Sequence, residues 1–416
     1  MIINLKRIRT VLDDREEEIK KENDAFVDEI NNELAEEDIT LVECEDNAPC
    51  NIFFVETGGT EPLFLKEVEN IDKDEPLILL SNCRNNSLPA TLEIKTYCSR
   101  NKISNVMCVG RESNSVASTL KAFLRVYLAK KSLDDNNLGV IGVPSPWLIS
   151  SVLSKEEVKE KLNMNLVDIP MEELVEEINK HQMVDHVPHY EELKKKFKKQ
   201  DVLEEALYIY SALKRLVKKY DLKGLTIRCF DLLEKYHNTS CLALGLLNEE
   251  GITSGCEGDI CSLITMHMLK ALTNRPTFMA NPSYIDPEKR EILFAHCTLP
   301  LNMTTSYKLL THFESNEGIG IKGEMPTGEI SICKLALTKK GFFEDSLAIE
   351  GTIKENALLP GYCRTQIIVE ISETDLVSFY KNDFANHCII AYGNVVDDFI
   401  GLLSFYQVKF EKNSKN

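Results

Sequence analysis

Short apolar runs alternate with amphipathic segments along the first third of the chain. The runs NIFFVETGGTE (51–61), PLILLSN (76–82) and ISNVMCVG (103–110) each pass into glycine, serine, threonine or asparagine. Neighbouring segments such as NSLPATLEIKTYCSR have apolar residues at helical spacing. This alternation predicts a parallel sheet with helices on both faces, and polar strand ends that line a ligand-binding crevice.

A second alternating series follows the polar break SLDDNN at 132–137. It contains the strand-like runs NLGVIGVPSPWLIS and LKGLTIRCFDLL, with helical patterns between them. The series closes with GITSGCEGDICSLITMHMLKAL (251–272), whose second half is apolar on nearly every face and predicts a buried helix. We therefore expect a second α/β domain.

From about residue 276 the pattern changes to short β-rich runs, including EILFAHCTLPL, IGIKGEM and RTQIIVEI. Strands at about ten-residue spacing predict a barrel or a sandwich. The expected fold class is α/β: two Rossmann-like parallel-sheet domains, then a mainly β, barrel-like C-terminal domain. The expected boundaries are 1–134, 135–275 and 276–416.

Composition narrows the function classes. A net charge of −18 argues against nucleic acid and anionic membranes as partners, because both repel a negative surface. No run of about 18 apolar residues predicts a membrane span. The 13 cysteines include no CxxC pair, which favours buried free thiols in a reducing, cytoplasmic compartment.

Two carboxylates, Glu257 and Asp259, precede the predicted buried helix. One interpretation is helix capping, because a helix N-terminus carries partial positive charge and unpaired N–H groups. The other is chemistry, because a carboxylate at the edge of a buried helix is costly unless a cation or a hydrogen-bond network meets it.

Further polar side chains follow. His296 ends an apolar run, Glu314 lies in HFES, and His387 lies in FANHC. Acids and imidazoles that converge would suit Mn²⁺, Co²⁺ or Zn²⁺, although a histidine at a strand end is usually a core hydrogen-bonding residue. Trp147 in PSPW either stacks on a sugar ring or packs in the protein. TGGTE lacks the spacing of a nucleotide-binding loop.

Taken in order, TGGTE, NSLPATLEI, GVPSPW, GCEGD, AHC and NHC…YGN resemble the L-fucose isomerase-like family, which is related to the L-arabinose isomerases. The resemblance implies two α/β domains and a C-terminal β domain. It also implies aldose–ketose interconversion through an enediol, with a divalent metal, commonly Mn²⁺, held by two acids and a late histidine.

By position, the resemblance makes Glu257 the first acidic metal ligand and base, and His387 the late histidine. Asn281 stands where the family has its second acid. An amide oxygen can bind a metal, but it cannot act as a base near neutral pH. Asp286 could replace the missing acid, but the sequence IDPEK predicts an exposed turn there. His296 lies where arabinose isomerases use a histidine ligand. Asp259 is then expected to cap the helix.

We therefore expect a metal-dependent isomerase of a sugar such as a 6-deoxyhexose or a pentose, with Glu257 and Asn281 as catalytic residues. The alternatives are a lyase, an epimerase, a hydrolase, or a sugar-binding protein without catalysis. Trp147 and Glu314 are candidate substrate contacts. The resemblance also implies a homo-oligomer, a trimer or a hexamer, with sites shared between subunits. Asn86 and Ser87 are candidate contacts from a neighbouring subunit, although helix capping explains them equally well.

Overall fold

The computed structural model describes residues 2–10, 15–44, 50–72, 75–336 and 345–413, and the side chains as far as residue 406. The chain forms two compact units, Met1–Arg125 and Val126–Asn416. The second unit contains both the second parallel sheet and the C-terminal barrel. The expected boundary between these two parts, at residue 275, stays a prediction.

The first unit is built on a five-stranded parallel sheet in the order β2-β1-β3-β4-β5. Its strands are β1 (Ile2–Ile8), β2 (Thr40–Glu43), β3 (Ile52–Val55), β4 (Leu77–Ser81) and β5 (Asn105–Val109). Its helices are α1 (Glu16–Leu34), α2 (Glu61–Glu67), α3 (Ser87–Arg100) and α4 (Ser113–Leu133), which continues into the second unit. Strands β3 and β4 are buried throughout because α1 and α4 pack on one face, and α2 and α3 on the other.

The second unit begins with a four-stranded parallel sheet in the order β7-β6-β8-β9. Its strands are β6 (Asn137–Ile141), β7 (Asn165–Ile169), β8 (Leu222–Ile227) and β9 (Thr253–Cys256). The accompanying helices are α5 (Lys155–Leu162), α6 (Met171–Ile178), α7 (Tyr190–Lys196), α8 (Gln200–Lys219), α9 (Phe230–Tyr236), α10 (Cys241–Glu249) and α11 (Ile260–Thr273). All residues of α11 from Ile260 to Leu269 are buried, as the apolar sequence predicts.

The β-rich region forms a closed antiparallel barrel in the order β10-β11-β16-β15-β14-β17, which β10 and β17 close. Its strands are β10 (Phe278–Asp286), β11 (Glu291–His296), β14 (Gly328–Lys334), β15 (Leu347–Asn356), β16 (Thr365–Glu370) and β17 (Cys388–Tyr392). A separate hairpin pairs β12 (Ser306–Leu310) with β13 (Gly320–Glu324). The C-terminal helices are α12 (Glu373–Lys381) and α13 (Val396–Asn413).

The predicted fold class is confirmed, and the barrel resolves the choice between barrel and sandwich. All 13 cysteines are free, and ten of them are buried, as their apolar surroundings predict. Within the described ranges, none of the helices combines the length and the apolar character that a membrane crossing requires.

Candidate active site

Glu257 lies in the tight turn between β9 and α11. Its φ of 62° and the φ of 73° at Gly258 place two consecutive residues in the left-handed region. A Cβ on Gly258 would lie 2.7 Å from the Cα of Pro144, so a glycine is required there. The N–H of Ser145 donates to the Glu257 carbonyl at 3.0 Å, which fixes the turn against the loop after β6. Left-handed non-glycine residues are costly, and they concentrate at functional sites.

The barrel brings three more predicted side chains to one of its ends. His296 is the last residue of β11, and His387 immediately precedes β17. Strand β10 lies between these two strands. Its Ala280 pairs with Cys388, and its Asn281 pairs with Ala295. His296 follows the partner of Asn281, and His387 precedes the partner of Ala280. The pairing therefore brings Asn281, His296 and His387 to neighbouring positions on three adjacent strands.

Glu257, His296 and His387 form one cluster. Each offers a ligand atom, and these atoms all lie within 4.8 Å of one another. The Nε2 of His387 is 3.5 Å from the Oε1 of Glu257, and the two imidazole rings are 5.6 Å apart. Both histidines are buried. One carboxylate and two imidazoles are a donor set that suits Mn²⁺, Co²⁺ or Zn²⁺.

Two buried polar atoms on these neighbouring strand ends have no hydrogen-bond partner among the described residues. They are the Nε2 of His387 and the side-chain oxygen Oδ1 of Asn281. Unpaired buried polar atoms are rare, and a bound ion is one explanation for them. Because a divalent cation accepts both an imidazole nitrogen and an amide oxygen, these residues fit such an ion.

The protonation states of Glu257 and His296 also suit a cation. Burial acts to raise the pKa of Glu257, but the close contact with His387, whose Nε2 lies 3.5 Å from Oε1, outweighs it and holds this pKa at about 2. Burial lowers the pKa of His296 to about 3. At neutral pH the carboxylate is thus ionised and His296 is neutral, which are the forms that bind metals. Burial acts to lower the pKa of His387, but Asp259 and Glu257 outweigh it and raise this pKa, so a metal at His387 competes with a proton.

Asp259 caps α11 as predicted, because its side chain accepts a hydrogen bond from the Ser262 N–H at 2.7 Å. It has a second role that the sequence did not reveal. Its Oδ2 accepts from the Nδ1 of His387 at 2.9 Å. This contact turns the other ring nitrogen of His387 toward Glu257. No spacing rule links residues so far apart in the chain.

Trp147 lies over the cluster. Its indole N–H donates to the Oε2 of Glu257 at 2.6 Å, while 49% of the residue stays exposed. Its ring meets Phe230 edge-on at 5.2 Å, and Phe230 meets His312 at 6.1 Å. The three rings form an aromatic wall beside the carboxylate, which is typical of pockets that orient a ligand.

The remaining predicted contacts lie elsewhere. Glu314 is exposed in the turn after β12, whereas His312 in the same segment is buried. Burial lowers the pKa of His312, and the charges of Glu314 and, to a smaller extent, Glu257 act against this shift. In the first unit, Asn86 precedes α3, and the Ser87 hydroxyl bonds that of Ser81 at 2.8 Å. A role for Asn86 and Ser87 in a shared site stays a prediction.

Comparisons with known proteins complete the description of the site. The chain matches no family model. Sulfoquinovose isomerases from Priestia aryabhattai and Priestia megaterium are each 24% identical over 354 residues, which cover 79% of this chain and 78% of the relative. A sulfoquinovose isomerase from Clostridium sp. is 26% identical over 218 residues, or 49% of this chain and 47% of the relative. These similarities support a sugar isomerase, an enzyme of aldose–ketose interconversion, in agreement with the predicted class.

Proposed function

We propose that this protein is a metal-dependent aldose–ketose isomerase whose substrate is sulfoquinovose or a closely related 6-sulfonated sugar. The observation that carries the proposal is the convergence of Glu257, His296 and His387, with a buried ring nitrogen that has no hydrogen-bond partner in the described part of the chain. The named relatives support the reaction and the sugar. Sulfoquinovose is a 6-deoxyhexose derivative, so it falls within the class of sugars expected from the sequence.

The metal role is assigned to Glu257, His296 and His387, with the amide oxygen of Asn281 as a further donor. A divalent cation at this place supplies Lewis-acid polarisation of the substrate carbonyl. The Asn281 amide neither accepts nor releases a proton near neutral pH, so its role is limited to offering its oxygen atom to the metal.

Proton transfer falls to Glu257. Aldose–ketose interconversion moves a proton between C1 and C2 through an enediol, and a carboxylate within hydrogen-bond reach of both carbons performs this step. The Trp147 indole N–H holds Oε2 of Glu257, which orients the carboxylate. Burial lowers the pKa of His312, so this imidazole is neutral at pH 7 and is available to relay a proton between substrate oxygens.

Recognition of a sulfonate requires a cation near the sugar site. Ile227 of β8 pairs with Cys256 of β9. Arg228 and Glu257 directly follow these two residues, so both lie at the carboxyl ends of adjacent parallel strands. Arg228 has 32% of its side chain exposed and lies 3.0 Å from Asp231. We assign the sulfonate to Arg228, because a guanidinium offers several donors to a tetrahedral oxyanion.

The test is a substrate panel. Metal-depleted protein is reconstituted with Mn²⁺ and incubated in D₂O with sulfoquinovose, glucose, L-fucose and L-arabinose, and ketose formation is followed by NMR. We expect a ketose from sulfoquinovose, with deuterium incorporated at C1, and no product after chelation. Absence of ketose from every sugar would refute the isomerase. Turnover that persists in chelator would refute the metal.

The Arg228→Gln variant tests the substrate assignment, with Arg275→Gln on the exposed turn after α11 as the matched control. We expect Arg228→Gln to raise KM for sulfoquinovose by about tenfold, the loss of one charged hydrogen bond. An equal rise in KM for an uncharged sugar would show that Arg228 does not bind the sulfonate.

A further inference from the structure

A buried polar network lies behind the cluster, on the side of His387 that faces away from Glu257. It consists of Asp259, Ser262, Lys334 and His387, and each of these residues is fully buried. Asp259 and Ser262 lie at the start of α11, while Lys334 is the last residue of the barrel strand β14. The network therefore joins the second parallel sheet region to the barrel within one compact unit.

Asp259 is held from several directions. Its Oδ1 accepts from the Ser262 N–H at 2.7 Å. Its Oδ2 accepts from the Ser262 hydroxyl at 2.7 Å, from the Lys334 ammonium at 2.9 Å and from the His387 Nδ1 at 2.9 Å. Lys334 also donates to the Ser262 hydroxyl. With both oxygens occupied, the carboxylate cannot rotate without breaking hydrogen bonds to a buried charge.

A helix cap does not require this arrangement. At α5 and α12 the cap is a serine, Ser154 or Ser372, whose hydroxyl accepts from a backbone N–H with the help of one acidic side chain of the same helix, and both of these ends are at the surface. Burying an ammonium group costs several kcal/mol unless it is well paired. At α11 the chain buries both a carboxylate and an ammonium group, and the contacts that a simple cap lacks are those to Lys334 and to His387.

We infer that Asp259 and Lys334 are positioning residues for His387, an inference that rests on the proposed metal site. A ring whose Nδ1–H donates to Asp259 can offer a metal only its Nε2, and this is the atom that lies in the cluster. Among the described residues, the hydrogen bonds of the Lys334 ammonium go to Asp259 and Ser262 and not to Glu257, His296 or His387. Lys334 acts through Asp259, because its hydrogen bond holds the Oδ2 of Asp259 in the position that accepts from the Nδ1 of His387. Carboxylate partners of this kind fix the ring orientation of metal-binding histidines.

The experiment compares Asp259→Asn and Lys334→Met with a surface control, Lys354→Met. Lys354 lies on the neighbouring strand β15, is half exposed and pairs with Glu370. Mn²⁺ affinity is measured by the EPR signal of the free ion in full-length protein, and folding by circular dichroism. We expect about a 10- to 100-fold loss of affinity for Asp259→Asn, a smaller loss for Lys334→Met, and none for Lys354→Met.

A second readout separates positioning from general loosening. ¹⁵N NMR of the ring of His387 in the Zn²⁺-loaded protein identifies the bound nitrogen, which we expect to be Nε2 in the wild type. Lys334→Arg, which keeps the charge, should restore part of the affinity. Folded Asp259→Asn and Lys334→Met variants with wild-type affinity, or binding through Nδ1, would overturn the inference.

The design also distinguishes this inference from the proposed function. Wild-type protein that binds no Mn²⁺ or Zn²⁺ refutes the metal site itself. The network still predicts an Nδ1-protonated ring for His387 in metal-free wild-type protein, and a changed ring signal in Asp259→Asn. If Asp259→Asn fails to fold, Ser262→Ala, which removes one donor to Oδ2, takes its place and should lower metal affinity in the same direction.

Discussion

Each of the two parallel sheets has a glutamate at the carboxyl end of one of its strands. Glu56 directly follows β3 in the first unit, and Glu257 directly follows β9 in the second. The side chain of Glu56 is fully buried between Arg7 and Arg9, and its Oε2 is 2.9 Å from Arg9. Glu257 instead meets His387, His296 and the indole of Trp147.

The two glutamates differ in the chemistry of the side chains that contact them. Two guanidinium groups are permanent cations, so they neutralise Glu56 and give it a structural role. The imidazoles near Glu257 are lone-pair donors, and the Nε2 of His387 has no hydrogen-bond partner among the described residues. A carboxylate at a parallel strand end is therefore not in itself a sign of chemistry; the groups that face it decide.

The largest effect is expected for Glu257→Gln. Because the amide binds metal weakly and cannot accept the substrate proton, kcat/KM should fall by about 10³-fold or more, with little change in melting temperature. Steady-state kinetics with the reconstituted enzyme measure this. Glu160→Gln, on the exposed face of α5, serves as the control. A Glu257→Gln enzyme with more than a tenth of the wild-type activity would contradict the assignment.

For Glu56→Gln the comparison predicts the opposite outcome. Removing one partner of a buried ion pair leaves Arg7 and Arg9 without their shared carboxylate, which costs about 3–5 kcal/mol of unfolding free energy. Urea denaturation of the purified variant measures the loss. The comparison breaks if Glu56→Gln is as stable as the wild type while its Mn²⁺ affinity falls.

His267 extends the comparison to a histidine whose two ring nitrogens both have partners. They contact the Thr253 hydroxyl at 3.1 Å and the Asn136 amide at 3.2 Å. Burial lowers the pKa of His267 from 6.5 to about 4. The unfolded chain then binds more protons between these values, so stability falls as pH drops below 6.5, by about 2 kcal/mol at pH 5. His267→Gln should flatten this part of the pH profile in chemical denaturation; an unchanged slope would reject the low pKa.

The smallest effect is expected for Asn281→Asp. A second carboxylate adds negative charge to the cluster, so Mn²⁺ should bind about tenfold more tightly. Asn281→Ala should weaken binding, because it removes the unpaired amide oxygen. Calorimetric titration of both variants measures the change. Higher isomerase activity in Asn281→Asp would identify Asn281 as the place of a lost base, while unchanged affinity in both variants would remove Asn281 from the metal site.

Much of the fold is readable from the sequence, because the strand–helix alternation and the ten-residue β spacing are local signals. Several strands were not foreseen, among them β1, β2 and β7. The sequence of β1, IINLKRI, carries two cations, and β2 and β7 are short runs with acidic residues. Their strand character comes from pairing with neighbours, which a single segment does not display.

The sequence identifies most individual residues of the site, but not the way in which they come together. Strand ends and the family resemblance singled out Glu257, Asn281, His296 and His387, but their convergence depends on the barrel register. The role of Asp259 toward His387 and the approach of Lys334 to Asp259 join residues 128 and 75 positions apart. No periodicity encodes such contacts, so Lys334 looked like an ordinary strand residue.

The central claim is that Glu257, His296 and His387 together hold a divalent metal. Its most direct test is an anomalous difference map from crystals of the full-length protein grown with Mn²⁺. The account predicts one strong peak within about 2.0–2.3 Å of a Glu257 oxygen and of the Nε2 of His387, a distance typical of oxygen and nitrogen ligands. A fully occupied peak elsewhere, or none at this cluster in protein that turns over its sugar, would contradict it.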